Sequence, residues 1–310
     1  MTALAAAAVT VAAVGDRLTG EPPTRAHPVA WFGRTVAPLD RAYDRPLVTG
    51  AIIALTLPLA AAAAVAAVVL AAAALHPWVG AALAGVVLYT TTSLRLLLSA
   101  ADEVVAAAAD DPERARAAAP ALVGRDPAAL SPAHLRSAAV ESAAENLADG
   151  LIAPLFAFVV GAQATALLGG TVPETLAVGA AAAAWVKAVN TLDSMLGYPD
   201  KRHGTASARL DDAVMWLPAR VSAALLAVAG GSPGALARAR QHADTPPSPN
   251  SGWPMATLAA VLGVGLEKPG AYALFPDRPL PTTEQGQRGV RTVAVAGYLG
   301  VVLAGVVAWP

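Results

Sequence analysis

The stretch from Glu141 to Phe156, ESAAENLADGLIAPLF, places three carboxylates and an amide directly before an apolar run. Glu141, Glu145 and Asp149 recur every four residues, so a helix would put them along one side, where like charges repel. Such a stripe requires a partner, and a cation or a cationic substrate at a membrane edge is the natural candidate. The alternative is a solvated helix face, which Asn146 and the Gly-Leu-Ile-Ala-Pro exit disfavour.

A second element, KAVNTLDSMLGY, repeats the Asn-x-x-Asp spacing of the first. On a helix Lys187, Asn190 or Thr191, and Ser194 share a face, and Asp193 is adjacent to it. Two such pairs at helix ends would hold Mg²⁺ through oxygen ligands and leave positions for substrate phosphates, with Asp149 and Asp193 as the metal ligands. The alternative is two helix ends capped by Asn and Asp side chains.

A third element, residues 15–34, combines charges with prolines and an aromatic pair. His27 is a candidate base or ligand, but a lone histidine before proline more often makes a structural hydrogen bond. Arg25 and Arg34 are suited to hold a phosphate through forked hydrogen bonds. The alternative for both arginines is that they mark the cytoplasmic edge of a membrane.

Two further stretches, SARLDDAVMWLPAR and TPPSPNSGWP, complete the set. Asp211 and Asp212 point to different faces of a helix, so we expect them not to bind one ion together. Pairing of either aspartate with Arg209 or Arg220 is the structural alternative. Asn250 lies in a proline-broken loop that either closes over a ligand or is a plain connector.

Composition places these elements in a membrane protein. Apolar residues make up 56% of the 310 residues and charged residues 14%, against about 45–50% and 25% in soluble domains. The net charge of −1 favours neither nucleic acid nor an acidic surface as partner. The absence of cysteine excludes disulfides and thiolate chemistry. The sequence also lacks the familiar nucleotide loops, the H-E-x-x-H zinc motif and the G-x-S-x-G elbow.

The apolar runs predict an all-α, multi-pass integral membrane protein with about five spans, forming a single membrane-embedded catalytic domain over residues 1–310. The spans are predicted at Leu47–Leu75, Trp78–Leu94, Leu151–Gly169, Thr175–Val186 and Val290–Trp309. The run Val221–Ala229 is too short to cross alone and is predicted to be a core or re-entrant helix. We interpret the first fourteen residues as a retained amphipathic or partly inserted helix rather than a cleaved signal peptide.

Arginines and lysines predict the orientation. Nearly all of them, Arg125 included, fall in the polar segments 15–46, 99–150, 187–220 and 231–289. The positive-inside rule therefore predicts that all four segments, which carry every element above, face the cytoplasm. A transporter more often has ionisable residues near mid-bilayer, and no predicted span has a charge at its centre.

Taken together and in order, these elements resemble the adenosylcobinamide-phosphate synthase family of cobalamin biosynthesis. The matching stretches run from residue 15 to about residue 266: GDRLTGEPP with HPVAWFGR, ESAAENLADGLIAPLF, KAVNTLDSMLGY, SARLDDAVMWLPAR, and SPNSGWP with AVLGVGL. The chain departs from the family pattern in a shortened segment, PDKRHGT, in lacking a histidine shortly before Ser-Pro-Asn, and in having Met215 where the family commonly has asparagine.

The resemblance implies an enzyme of the cell inner membrane, with its active site facing the cytoplasm, that joins adenosylcobyric acid to aminopropanol phosphate, or to the free amino alcohol, in an ATP-dependent amide bond. It implies ATP and Mg²⁺ as cofactors, corrinoid and amino-alcohol phosphate substrates, and other late corrin-pathway membrane enzymes as potential partners. Residues of the matching blocks are then expected in catalysis, namely Glu141, Glu145, Lys187 and Asp193. Others are expected in substrate binding, namely Arg25, His27, Arg34, Asn146, Asn190, Ser194, Arg209, Asp212, Arg220 and Asn250.

Within this resemblance we expect a carboxylate such as Glu145 to take a proton from the attacking ammonium, and Arg209 or Arg220, with Lys187, to hold the aminopropanol phosphate. Two other classes of protein remain open. One is a Mg²⁺-dependent membrane transferase acting on a lipid diphosphate, which would need a tunnel of large apolar side chains. The other is a corrinoid transporter or scaffold, which predicts binding without turnover.

Overall fold

A computed structural model describes residues 3–122 and 127–309, so Arg125 lies outside the described residues. The fold is almost entirely helical, as predicted. The helices are α1 Ala3–Thr19, α2 Pro28–Val36, α3 Pro46–Leu75, α4 Pro77–Thr91, α5 Arg95–Asp110, α6 Pro112–Ala118, α7 Pro132–Leu147, α8 Ala153–Leu167, α9 Val172–Leu196, α10 Thr205–Val214, α11 Trp216–Ala229, α12 Ala235–Ala239, α13 Gly252–Leu262 and α14 Thr283–Ala308. A π-helical turn, Ala148–Ile152, joins α7 to α8, and the strands β1 Leu266–Lys268 and β2 Tyr272–Leu274 form an antiparallel hairpin.

Several helices begin at a proline, and one of them is capped by a histidine. Helices α2, α3, α4, α6 and α7 each begin at a proline, because the ring presets the helical φ and the missing N–H is not needed in the first turn. His76 separates α3 from α4 and caps the second helix, its Nδ1 accepting from the Trp78 N–H at 3.3 Å. The break predicted at His76-Pro77 is therefore confirmed.

Five described stretches are long and apolar enough to cross a membrane, which confirms the predicted number of spans. They are Pro46–Leu75, Pro77–Asp110, Pro132–Leu167, Val172–Leu196 and Thr283–Ala308. The stretch 202–214 and α11 pass the same test only as a pair bent by 46°, the geometry of a broken span or a re-entrant loop. That observation agrees with the prediction for Val221–Ala229.

Helix α9 extends beyond the span that the sequence predicts for it. The predicted span ends at Val186, but the helix continues to Leu196, so Lys187 and Asp193 lie within a stretch that is apolar enough to cross. Apolar residues resume after Lys187, and the next subsection describes the carboxylates that compensate its charge.

The described residues divide into two compact units. The first comprises the chain up to Ser93, residues 149–215, and the chain from Val301 onward; the second comprises 94–148 and 216–300. The prediction of a single catalytic domain remains a prediction.

In the first unit, α9 packs against α3, α4 and α8, and α1 packs on α4. Small residues allow these close approaches. A Cβ at Gly85 of α4 would lie 2.8 Å from the Ala8 carbonyl oxygen of α1, and one at Gly179 of α9 would lie 3.0 Å from the Phe158 carbonyl oxygen of α8.

The second unit is built around α13, which is buried along nearly its whole length and packs against α7, α11 and α12. A helix that is apolar all round is stable only when it is enclosed in this way. The hairpin formed by β1 and β2 packs through β1 against α7.

Candidate functional site

Lys187 is the centre of the charged cluster in the first unit. Three carboxylates from three separate elements interact electrostatically with it: Glu21 from the loop after α1, Asp149 from the π-helical turn, and Asp211 from α10. These acidic groups compensate the charge of Lys187 within an apolar helix.

Proline chemistry explains how Asp149 is presented. Pro154 has no N–H, so it cannot donate to the carbonyl oxygen of Gly150 four residues earlier. That oxygen instead accepts from the Ser93 N–H at 2.8 Å, in the break between α4 and α5. The helix adopts a π-helical turn at Ala148–Ile152, a distortion common at functional positions. Asp149 lies in this turn, where it interacts with Lys187.

Asp193 forms a second group of carboxylates with the two aspartates of α10. It interacts electrostatically with Asp211 and Asp212, and the Asn190 Nδ2 donates to Asp211 Oδ1 at 3.5 Å. The hydrogen-bond partner of Asp211 is therefore Asn190, and not Arg209 or Arg220 as in the structural alternative. Among the described residues no three histidine or acidic side chains converge in a way that would hold a metal ion.

The carboxylates of this region still suit a Mg²⁺ ion that is bound only partly by the protein. Mg²⁺ is commonly bound through one or two carboxylates, with waters and substrate phosphates completing its octahedron. Asp149 and Asp193 supply carboxylates of the right chemistry, but their interactions are with different neighbours: Lys187 for the first, the α10 aspartates for the second. The pair as metal ligands remains a prediction.

His27 has the structural role that the sequence favoured. It caps α2, its Nδ1 accepting from the Val29 N–H at 3.2 Å, and its Nε2 lies 3.7 Å from Glu21 Oε2. Burial, opposed by Glu21 and assisted by Lys187, lowers the pKa of His27 from its ordinary value. Because Nδ1 accepts a backbone N–H, the neutral ring carries its proton on Nε2, which faces Glu21. Arg25 and Arg34 are both exposed, so both predicted roles remain open for them.

A small apolar cavity of about 150 Å³ adjoins Lys187. Pockets for drug-sized ligands measure roughly 300–1,000 Å³, so this one admits a small ligand or one end of a larger one. Three threonines contribute its hydroxyl groups, and each hydroxyl donates its proton to a backbone carbonyl of its own helix. Besides Lys187 the lining includes Pro28, Val29, Phe32, Ala61, Val65, Val87, Thr90, Thr91, Ala184, Ala188 and Thr191.

The loop that joins α9 to α10 is tied to the loop before α3 by ionic contacts. Asp40 accepts from Lys201 Nζ at 2.6 Å through Oδ2, and its Oδ1 lies 3.3 Å from His203 Nε2. These hydrogen bonds and charges, Lys201 first, hold the pKa of Asp40 below its ordinary value. Arg209, on the helix that follows, is exposed. It is available for the phosphate binding predicted from the sequence.

The two glutamates of the carboxylate stripe belong to the second unit. Glu141 is 4% exposed and accepts from Ser137 Oγ and from the Tyr272 hydroxyl, each at 2.8 Å. Glu145, one turn later, interacts electrostatically with Glu141 and with Lys268. The stripe therefore has separate partners along its length, since Asp149 interacts with Lys187.

The predicted amide and hydroxyl ligands are partly used by their own helices. Asn146 Nδ2 donates to the Ser142 carbonyl at 2.9 Å, and Ser194 Oγ donates to the Asn190 carbonyl at 2.8 Å. Their oxygens, and that of the Asn190 amide, retain acceptor capacity. These contacts leave their predicted substrate roles possible only as hydrogen-bond acceptors or through the remaining amide proton.

Arg220 and Asn250 bind each other. Arg220 Nη1 donates to Asn250 Oδ1 at 2.6 Å and to the Trp216 carbonyl at 2.8 Å, and Nη2 donates to the Pro249 carbonyl at 3.3 Å. The rings of Trp216 and Trp253 lie 4.6 and 5.2 Å from the guanidinium carbon. The arginine thus organises the SPNSGWP loop, and these contacts favour a structural role over phosphate binding.

Comparison with known proteins agrees with this set of elements. A family model described as "CobD/Cbib protein" matches residues 9–296. The chain belongs to this family. It is 36% identical to a probable cobalamin biosynthesis protein CobD of Thermococcus kodakarensis over 93% of this chain and 91% of the relative.

Bacterial relatives give the same result. The cobalamin biosynthesis protein CobD of Klebsiella pneumoniae is 37% identical over 84% of this chain and 82% of its own length. That of Rhodobacter capsulatus is 35% identical over 80% and 76%. No solved structure matches the chain. The chain is therefore a CobD-family protein of cobalamin biosynthesis with the helices of a multi-pass membrane protein.

Two residues that contact the predicted site residues were not predicted from the sequence. Glu21 is not among the predicted site residues, and its one local signal is the pair of prolines directly after it, which restrict its loop. Tyr272 is 131 residues from Glu141, the carboxylate it contacts. The only local signal for its placement was the turn sequence Lys268-Pro269-Gly270, which is typical of a hairpin.

Proposed function

We propose that this CobD-family protein is an adenosylcobinamide-phosphate synthase. It would join a propionate of adenosylcobyric acid to (R)-1-aminopropan-2-ol phosphate, or to the free amino alcohol, in an amide bond driven by ATP. Family membership and the order of the matching stretches support this reaction, as does a fold with membrane-spanning helices suited to a large amphiphilic corrinoid.

The observation that carries the proposal is the cluster around Lys187. A lysine that interacts with Glu21, Asp149 and Asp211 lies on a helix apolar enough to span a membrane, next to a small cavity. Keeping a lysine and several acidic groups in such a place is costly, and clusters of this kind are typical of sites that handle charged reactants. Acyl activation by ATP requires such a site, because negative charge moves between phosphate and carboxylate oxygens.

The chemistry would run in two balanced steps. A propionate oxygen attacks the γ-phosphorus of ATP, the bond to the β-phosphate oxygen breaks, and an acyl phosphate and ADP form. The amine nitrogen then attacks the acyl carbon, the carbon–oxygen bond breaks, and inorganic phosphate leaves. The ammonium form of the amine must first lose a proton, for which Glu145 is the proposed acceptor.

The residues of the chain would mainly position the substrates and neutralise the negative charge of the phosphates. Lys187 would hold the transferred phosphoryl group by charge-assisted hydrogen bonds, and Arg209 would bind the phosphate of the amine substrate. Mg²⁺, when bound through Asp149 and Asp193 together with substrate phosphates, would neutralise their charge. Arg220 is left out of this scheme because its donors are used within the SPNSGWP loop.

We further propose that the protein resides in the cell inner membrane with these residues facing the cytoplasm. The support is the positive-inside rule: nearly every arginine and lysine lies in the four polar segments. Cytoplasmic ATP would then reach the Lys187 cluster without crossing the bilayer.

Turnover of the full-length protein in detergent or in vesicles tests the proposal. Adenosylcobyric acid, aminopropanol phosphate, ATP and Mg²⁺ are supplied together and then omitted singly, while amide product and ADP are quantified. We expect product only in the complete mixture, with one ADP for each amide. Lys187→Met should abolish product, whereas Arg202→Met, which changes an exposed basic residue, should leave it unchanged.

The other outcomes separate the rival functions. Corrinoid binding without product would indicate a transporter or a scaffold. Product formed without ATP would retain amide synthesis and contradict acyl activation by ATP. Consumption of a lipid diphosphate in place of the corrinoid would indicate a membrane transferase.

A further inference from the structure

The two glutamates of α7 have different surroundings. Both oxygens of Glu141 accept charge-assisted hydrogen bonds, from Ser137 Oγ to Oε1 and from the Tyr272 hydroxyl to Oε2, each at 2.8 Å. The side chain is 4% exposed. Two such bonds to a buried carboxylate fix its orientation and stabilise its negative charge.

The hairpin formed by β1 and β2 aligns both donors. The Glu267 N–H donates to Ser137 Oγ at 2.8 Å, and the hydroxyl has a shorter contact with Glu141, at 2.8 Å, than with the Glu267 carbonyl oxygen, at 3.5 Å. Tyr272 begins β2 and is paired with Lys268 across the hairpin. One strand therefore orients the serine of α7, and the other carries the tyrosine. The hairpin holds Glu141 from two directions.

Glu145 lies one turn further along α7 and is half-buried. Among the residues that the structure describes it has no hydrogen-bond partner, and the charges that act on it are those of Glu141 and Lys268. Lys268 is exposed at the end of β1. A carboxylate to which the protein gives no donor can accept hydrogen bonds from a ligand.

We infer that Glu145 is the carboxylate that receives a primary ammonium group of a ligand, and that Glu141 is a positioning residue held by Ser137 and Tyr272. A fixed negative charge one turn away adds to the attraction of Glu145 for a cation. An ammonium also supplies the donors that Glu145 lacks. This inference deepens the proposed function and rests on it, since amide synthesis consumes an amine that arrives protonated.

Chemical labelling tests the difference between the glutamates without requiring turnover. The full-length protein in detergent is treated with dicyclohexylcarbodiimide, which adds to accessible carboxyl groups, and modified residues are located by mass spectrometry. We expect labelling at Glu145 and protection of Glu141. In Tyr272→Phe, which removes one donor, Glu141 should become labelled. Equal labelling of both glutamates in the wild type, or labelling of neither, would overturn the inference.

Kinetics test the roles in the proposed reaction. Glu145→Gln should lower kcat by about 10²–10⁴-fold, the usual contribution of a proton acceptor. Tyr272→Phe should lower kcat by about tenfold, as loss of one charge-assisted hydrogen bond to Glu141 predicts, without changing the KM for ATP. Tyr298→Phe, an exposed tyrosine of the same unit, should match the wild type.

A double variant separates positioning from general destabilisation. If Tyr272 acts through Glu141, Tyr272→Phe combined with Glu141→Gln should be no slower than Glu141→Gln alone. Multiplied losses would contradict positioning through Glu141. Failure of the proposed function has a different signature, because the wild type would then lack turnover while the labelling pattern would still decide between Glu145 and Glu141.

Discussion

Arg220→Ala is expected to destabilise the second unit rather than to weaken substrate binding. The change removes a hydrogen bond from the guanidinium to the buried Asn250 at 2.6 Å, and stacking on Trp216 and Trp253 at 4.6 and 5.2 Å. A hydrogen bond to a charged group contributes about 1.5–3 kcal/mol and each exposed cation–π contact about 0.5–1 kcal/mol. The lower ends of these ranges give a loss of about 2.5 kcal/mol in the free energy of unfolding.

Thermal unfolding followed by tryptophan fluorescence measures this loss, because two tryptophans flank the arginine. At about 2–4 °C per kcal/mol, Arg220→Ala should lower Tm by roughly 5–10 °C. Arg220→Lys should lower Tm by less, since it keeps the charge but cannot reach all three acceptors at once. Arg240→Ala, at an exposed position of the same unit, should leave Tm unchanged. A wild-type Tm with a raised KM for one substrate in Arg220→Ala would refute the structural role.

Three other variants test separate parts of the account. Gly204→Ala would place a Cβ 1.6 Å from the carbonyl oxygen of the last residue of α9, so we expect a lower Tm and a lower yield. Gly305→Ala, with open space around the added Cβ, should behave as wild type. Equal Tm values for the two variants would contradict the packing at Gly204. The Lys201 hydrogen bond lowers the pKa of Asp40, so wild type should have a higher Tm than Asp40→Asn. The difference in Tm should be full above the ordinary aspartate pKa of about 4 and should vanish as pH falls through the lowered folded-state value. A pH-independent difference would contradict the stabilising role of the Asp40 carboxylate. Asp193→Ala should raise the Mg²⁺ concentration for half-maximal turnover by roughly tenfold or more, and an unchanged Mg²⁺ dependence would argue against Asp193 as a metal ligand.

The membrane architecture could be predicted because its signals are local. Charge-free runs of the right length predict spans, and His76-Pro77 predicts the break between α3 and α4. The end of α9 could not be predicted in the same way. Lys187 ends the apolar run, yet lysine is a good helix former and the helix continues to Leu196. The carboxylates that compensate the lysine, such as Glu21, are distant in sequence.

The sequence predicted the types of the site residues better than it predicted the side chains they contact. Spacing singled out Glu141 and Asp149 as carboxylates that require a partner, and both have one. The identities of those partners depend on tertiary structure: Tyr272 reaches Glu141 through a hairpin of two three-residue strands. The π-helical turn that presents Asp149 depends on a bond from Ser93, which no local pattern specifies. Arg220 was predicted as a substrate ligand because its neighbouring tryptophan and asparagine partners were not known.

The most direct test of the central claim follows oxygen atoms. Adenosylcobyric acid labelled with ¹⁸O in its free propionate is converted in a single turnover with ATP, Mg²⁺ and aminopropanol phosphate, and the inorganic phosphate is examined by mass spectrometry. The account predicts one ¹⁸O atom in the phosphate for each amide formed, because the propionate oxygen leaves with the phosphoryl group. Amide formed with no ¹⁸O in the phosphate would contradict activation of the corrinoid carboxylate as an acyl phosphate.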